Sequence, residues 1–204
     1  FVMHNIKLWS PNNKKTNLHK FINQLDKDLN IKNYDDLHNW SVQNKNEFWS
    51  NVWDFTNFVG EKKGKIFKSA PEFTKNKFFD ECEINYAENC LTREDDDDSI
   101  IFHSEKKIKR NYSWRELRSA VFKFANYLKN NNIEKNDRIA AILPNIPETV
   151  ISFLSSAQLG AIWSSCSSDF GKKAIIDRFK QIEPKVLLFS DYYFYNNKKV
   201  DTTK

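Results

Sequence analysis

Two hydrophobic periodicities divide the chain. In the first part, apolar residues recur every three or four positions: Leu18, Phe21, Ile22, Leu25 and Leu29, then Tyr34, Leu37 and Trp40, then Phe48, Trp49, Val52, Trp53, Phe55 and Val59, ending at Gly60. This spacing predicts three amphipathic helices, the middle one short. A face so rich in Trp and Phe either grips a ligand or partner or packs onto the domain that follows, and the large areas that aromatic rings bury favour packing. Residues 62–83 show little periodicity and read as a long connection over the surface.

Beyond a boundary in residues 80–98, strand and helix patterns alternate. Ser99–His103 and Lys107–Tyr112 read as a hairpin turning at Glu105 and Lys106, and Ser113-Trp114-Arg115-Glu116 has the form of a capping box. The helix it opens carries Trp114, Leu117, Val121, Phe124, Ala125 and Leu128 on one face and is ended by Asn130-Asn131-Asn132. Arg138–Leu143 then reads as a buried strand and Pro147–Leu159 as a helix with proline at its first position. Gly160 suits a left-handed helix cap; Ala161–Ser164 reads as a buried strand, Lys172–Ile182 as a helix and Lys185–Ser190 as a strand. The β-α-β-α-β order predicts an α/β fold: a helical N-terminal cap followed by the first part of a mostly parallel, doubly wound sheet domain, with right-handed crossovers and helices on both faces. Residues 196–204 read as a polar tail. A parallel sheet with so few strands leaves an edge that a complete domain would pair or cover, and Phe1 stands where an initiator Met would be. The chain therefore reads as the front part of a longer protein, although an interrupted reading frame would look the same.

Composition narrows the class. With 40% hydrophobic and 29% charged residues, the chain reads as soluble and globular. No apolar run approaches the roughly 20 residues that span a bilayer, and the first residues lack the layout of a signal peptide, so no membrane association and a cytoplasmic location are expected. Cys82, Cys90 and Cys166 form no Cys-x-x-Cys pair and have no His at metal spacing, which points to reduced structural thiols. A net charge of +5 raises nucleic acid as a partner. However, Lys106, Lys107, Lys109 and Arg110 follow directly on Asp95–Asp98, and residues 61–65 mix signs, so these read as solvated turns and no nucleic-acid partner is expected. The acidic run itself lacks the spaced ligands and glycine of a calcium loop and reads as an exposed linker.

Direct chemistry is sparse. The four glycines, Gly60, Gly64, Gly160 and Gly171, cannot build a Gly-rich phosphate loop, and His4, His19, His38 and His103 are scattered. Ser164–Ser168 lacks the Gly-x-Ser-x-Gly elbow, so these serines read as turn and cap residues. Ser168 or Asp169 is placed to cap the following helix, whose free amides favour anions. No catalytic residue and no metal ligand is assigned.

Four stretches carry a family resemblance: Leu8-Trp9-Ser10-Pro11; Trp40-Ser41 through Phe48-Trp49 and Val52-Trp53-Asp54-Phe55; Ile84-Asn85-Tyr86-Ala87-Glu88-Asn89; and Gly160-Ala161-Ile162-Trp163-Ser164-Ser165 through Asp169-Phe170-Gly171 to Asp177-Arg178-Phe179. In this order they resemble the N-terminal part of the acetoacetyl-CoA synthetase branch of the acyl-adenylate-forming ligases, the superfamily that includes acetyl-CoA synthetase. The last stretch is the most specific, since acetyl-CoA synthetases typically carry a His where Trp163 stands and a Phe-Gly-Gly-Phe run around Ser167–Phe170. The resemblance implies that residues 1–83 are a helical N-terminal domain of acetyl-CoA synthetase type with its connecting loop. Residues 84–204 would be the start of the AMP-binding α/β domain, truncated.

The implied activity is a two-step ligation. A carboxylate, here acetoacetate, attacks the α-phosphate of ATP with Mg²⁺ present, and coenzyme A thiol then attacks the acyl-adenylate. The family's T-S-G-T-T-G-x-P-K loop, later acidic motifs and lid lysine do not occur in these residues, so the chain by itself is expected to be inactive, its catalytic partner being the remainder of the same polypeptide. By the same resemblance, Tyr195, Asn196, Asn197 and Lys198 align with an Arg-x-x-Arg segment that meets the coenzyme A nucleotide, and Ser167, Ser168 and Asp169 with the loop near the pantetheine arm. Lys198 keeps one positive charge, whereas Tyr195 replaces an Arg and cannot grip a phosphate bidentately. Two alternatives stand beside this: a piece of an acetyl- or other short-chain acyl-CoA synthetase, and a free-standing coenzyme A-binding or interaction module.

Overall fold

The structure is a computed structural model that describes Trp9 and residues 16–25 and 27–203. Leu8, Ser10 and Pro11 of the first resembling stretch, and His4, lie outside the described residues. Two compact units divide between Ile84 and Asn85.

The first unit is helical. Helices α1 (Asn17–Gln24), α2 (Tyr34–Gln43) and α3 (Lys45–Phe55) take up the three stripes, α1 capped by the Thr16 side chain and α2 by Asn33. Leu25 is already extended, so the first stripe leaves its helix early and Leu29 sits in a separate 3-10 turn. Phe21, Leu25 and Leu37 are buried, with Trp40, Phe48, Val52 and Phe55 packed against them. The other side of α3 is also used within the unit. The Trp53 ring lies 4.6 Å from Phe58 and 4.8 Å from Phe79, and Trp49 meets Phe78 edge-on at 5.4 Å. These contacts of the aromatic stripe all lie inside its own unit. Residues 62–83 are more ordered than their pattern suggests. β1 (Phe67–Lys68) pairs antiparallel with β2 (Lys77–Phe78), and the Phe67 and Phe78 rings lie 4.9 Å apart. Strands of two residues are too short to show a period.

The second unit is α/β. Its first helix, α4 (Tyr86–Cys90), is capped by Asn85, whose side-chain amide also donates to the carbonyls of Ala157 and Gln158. β3 (Asp98–His103) and β4 (Lys109–Ser113) form the expected hairpin. The capping box then opens α5 (Trp114–Asn130), with both reciprocal bonds of Ser113 and Glu116 present. A three-stranded parallel sheet follows in the order β6-β5-β7, with β5 (Arg138–Ile142) central between β6 (Ile162–Cys166) and β7 (Val186–Phe189). Helices α6 (Pro147–Gln158) and α7 (Lys172–Phe179) connect the strands.

Alternation along β5 assigns the faces. Ile139 packs with Leu128 of α5 and with Ile133, and Ala140 packs with Cys166 and with Phe179 of α7, so helices cover both sides. At the start of β5, Asp137 pairs with Lys185 at 2.7 Å and the Arg138 Nε donates to the Ile182 carbonyl at 2.7 Å, fixing β7 beside it. The Lys185 ammonium, with the Glu134 amide, holds the Asp137 carboxyl below the usual carboxylate range.

The acidic run is exposed, as expected, and carries surface ion pairs, Arg93 with Asp95 and Asp97 and Arg115 with Asp96. Two expectations need correction. β6 is an edge strand among the described strands rather than a buried one, and Ile162 is 49% exposed. The end of the chain is not a polar tail. β8 (Tyr192–Tyr195) and β9 (Lys198–Asp201) form an antiparallel hairpin that turns at Asn196-Asn197, where both residues have positive φ, as a two-residue type I′ loop requires.

Candidate functional site

In an open α/β sheet, ligands settle beyond the carboxyl ends of the strands. Here the segments leaving β5 (Pro144, Asn145 and Ile146) and β7 (Ser190 and Asp191) line a cleft of about 670 Å³, walled on its other sides by the β3–β4 hairpin and by β8. Proline at 147 restricts Ile146 to extended backbone, which bends the chain away from β5 and starts α6 beside the cleft.

Two long-range contacts set its walls. The Arg110 guanidinium of β4 makes a two-pronged bond to the Glu148 carboxylate, with Nη2 at 2.8 Å from Oε2. Glu148 lies in the first turn of α6, where negative charge complements the helix dipole. Hydrogen bonding to Arg110 holds the Glu148 carboxyl below its ordinary value, against the upward pull of partial burial.

The second contact joins the two hairpins. Glu105, in the β3–β4 turn, accepts from the Asn196 amide at 3.3 Å through Oε1 and from the Asn197 amide at 2.9 Å through Oε2. Lysines surround this junction: Lys106 Nζ lies 5.7 Å from the Phe194 ring centre, and Lys199 Nζ lies 3.9 Å from that of Tyr192. At the base of the second hairpin the Thr202 hydroxyl donates to the Ser190 carbonyl, and the Thr202 amide donates to that of Asp191 at 3.0 Å.

The residues singled out from sequence fall in two places. Tyr195, Asn196, Asn197 and Lys198 make up one tight turn at the tip of the β8–β9 hairpin, with Tyr195 paired to Lys198 and 68% exposed. Ser168 and Asp169 lie in the loop between β6 and α7, and among the described interactions none links that loop to the hairpin. Neither caps α7. Gly171 holds the cap position without a side-chain bond, and the Ser168 Oγ is buried with no partner. Gly160 does adopt the left-handed conformation, at φ 69°. Cys166 is 7% exposed, and burial pushes its thiol pKa up, which leaves it a poor nucleophile.

Sequence reasoning missed Glu105, Arg110 and Glu148. Arg110 and Glu148 lie 38 positions apart, so no local pattern joins them. The Asn196-Asn197 turn did carry a signal, since paired asparagines between an aromatic run and Lys-Lys-Val can supply two positive φ angles.

Chemically, the cleft offers the rings of Phe102, Tyr192, Tyr193 and Phe194 beside Arg110 and the carboxylates of Glu105, Glu148 and Asp191, while the turn amides and the lysines lie outside its lining, at the hairpin tips. No described hydrogen bond in it joins a nucleophile to a base. Among the described residues, no three His, Cys, Asp or Glu side chains gather as a metal site would.

Residues 87–204, more than half of the chain, match the family model described as AMP-binding enzyme. The chain is 40% identical to acetoacetyl-coenzyme A synthetase of Rhizobium meliloti (strain 1021) over 82% of its own length and 26% of the relative's. It is 36% identical to acetoacetyl-CoA synthetase of Xenopus tropicalis over 94% of this chain and 30% of that protein. The solved structure of acetoacetyl-CoA synthetase from Streptomyces lividans superposes with a TM-score of 0.83 at 29% identity, covering 92% of this chain and 30% of that one. The chain thus spans under a third of the length of these relatives.

Proposed function

The chain belongs to the AMP-binding enzyme family, and on that premise we propose that it is the N-terminal segment of an ATP-dependent acid–thiol ligase that activates acetoacetate as an acyl-adenylate and passes it to coenzyme A. One observation carries this reading above the others: 36% identity to an acetoacetyl-CoA synthetase holds across 94% of the chain, both compact units included. ATP, Mg²⁺ and coenzyme A are the ligands of the whole ligase, whose phosphate-cradling loop and lid lie in the rest of that polypeptide. The segment alone forms no adenylate. No described helix is long and apolar enough to cross a membrane, and we assign the ligase to the cytoplasm.

Within the segment we assign Tyr195, Asn196, Asn197 and Lys198 to the nucleotide end of coenzyme A, and Ser168 and Asp169 to its pantetheine arm. The residues fit this in part. The turn presents two backbone amides to a carboxylate, as it would to a phosphate, and the exposed Tyr195 ring offers a stacking face. The unpartnered Ser168 hydroxyl supports the second loop.

The test is to read the frame beyond Lys204, express the complete product and measure thioester formation across short acids. Acetoacetate should be preferred, and equal rates on acetate would defeat the narrower assignment. For the segment, calorimetric titration with coenzyme A should give weak binding that Lys198→Ala reduces. No heat at millimolar protein removes the site assignment.

A further inference from the structure

Successive backbone amides in a turn can converge on one anion. Asn196 and Asn197, at φ 49° and 60°, do this, and the anion they hold is Glu105, 91 and 92 residues away along the chain. The contact is not incidental to either turn. Tyr195 and Lys198 already pair across the β8–β9 hairpin, so the carboxylate adds nothing to its strand ladder; it ties the two hairpins that wall the cleft. Glu105 is exposed and stands next to Lys106, Lys107 and Lys109, whereas Lys198 and Lys199 follow the asparagines.

From this we propose that the Asn196-Asn197 turn is a phosphate subsite closed by an internal stand-in, with the Glu105 carboxylate holding the amides until a phosphate group displaces it and frees the hairpins to part. This deepens the coenzyme A reading and rests on it for the identity of the ligand. Exchanging one anion for another keeps the amides satisfied throughout, and the displaced carboxylate moves into water among neighbouring lysines. The phosphate pays for this with the lost Glu105 contact, so binding to the native chain is weakened and removal of Glu105 strengthens it.

The experiment uses the 204-residue chain, Glu105→Ala and Glu105→Gln. Amide shifts of Asn196 and Asn197 are followed by NMR during titration with coenzyme A, with 3′-dephospho-coenzyme A and with inorganic phosphate. Without ligand, both variants should exchange the two amides faster with solvent than the native chain, with the rest of the spectrum unchanged. Glu105→Ala should bind coenzyme A about fivefold more tightly, the scale of one exposed charge-assisted contact, and Glu105→Gln should fall between. Equal affinity for all three proteins overturns the stand-in while leaving the coenzyme A assignment intact. Phosphate shifting these amides more readily in Glu105→Ala, with no response to coenzyme A in any protein, keeps the phosphate subsite and removes the coenzyme A reading. No response to any anion in any of the three overturns both.

Discussion

The parallel sheet and the hairpins at its carboxyl ends belong to one unit but are held by different forces. In the sheet, Ile139, Ala140 and Ala141 of β5 are completely buried between helices, and stability there comes from close packing that tolerates little movement. Around the cleft the principal contacts are exposed: an Arg110–Glu148 pair, a carboxylate on two turn amides, and lysines over rings. Such contacts contribute little to stability and exchange readily with solvent or ligand. The lesson is a division of labour in which the sheet fixes where the loops begin and the loops remain free to respond.

The comparison breaks most readily in the core. Leu128 is 1% exposed and packs on Ile133 and Ile139, so Leu128→Ala should lower stability by about 2–5 kcal/mol in a denaturant titration. A loss below 1 kcal/mol would mean that the helix layer does not support the sheet. Ser155 comes next. Its buried hydroxyl donates to the carbonyl of Ile151 at 2.7 Å and reaches that of Val121 on the facing helix at 3.0 Å, and Ser155→Ala should cost about 1–2 kcal/mol. Removing the cap with Ser113→Ala should cost about 1 kcal/mol, visible as a lower thermal midpoint with the fold retained.

At the cleft the expected effect is smallest. Glu148→Gln should change stability by about 0.2–1 kcal/mol, less in high salt. Because Arg110 lowers the Glu148 pKa in the folded chain, this contribution is complete above the unfolded value of about 4.3 and fades as pH falls through the lower folded value. A stability difference between native chain and Glu148→Gln that persists at pH 2 would contradict the ion pair as its source.

The same division explains what the sequence made legible. Local patterns located β5, α6 and the capping box of α5, because the spacing of apolar residues and the Ser113–Glu116 pair are physical causes of those elements. The stripe on α3 announced a buried face but not its contacts with Phe78 and Phe79, which lie in a segment with no period of its own. β6 read as buried because Ala161, Ile162 and Trp163 are apolar, yet whether a strand is central or at the edge depends on pairing order, which periodicity does not encode. The cleft was least legible. Glu105 and Arg110 looked like members of a solvated turn, and only the fold brings them to residues 197 and 148.

Among the described residues, asparagine fills six of the nine left-handed positions held by residues other than glycine: Asn30, Asn57, Asn132, Asn136, Asn196 and Asn197. A glycine there would loosen the unfolded chain, so turns written in asparagine gain some stability from their stiffer denatured state. That choice also ages, because side-chain amides are thermolabile. Hydrolysis of Asn196 or Asn197 would set a new negative charge beside Glu105, and long storage at warm temperature would loosen the cleft at its tip while the sheet beneath stayed whole.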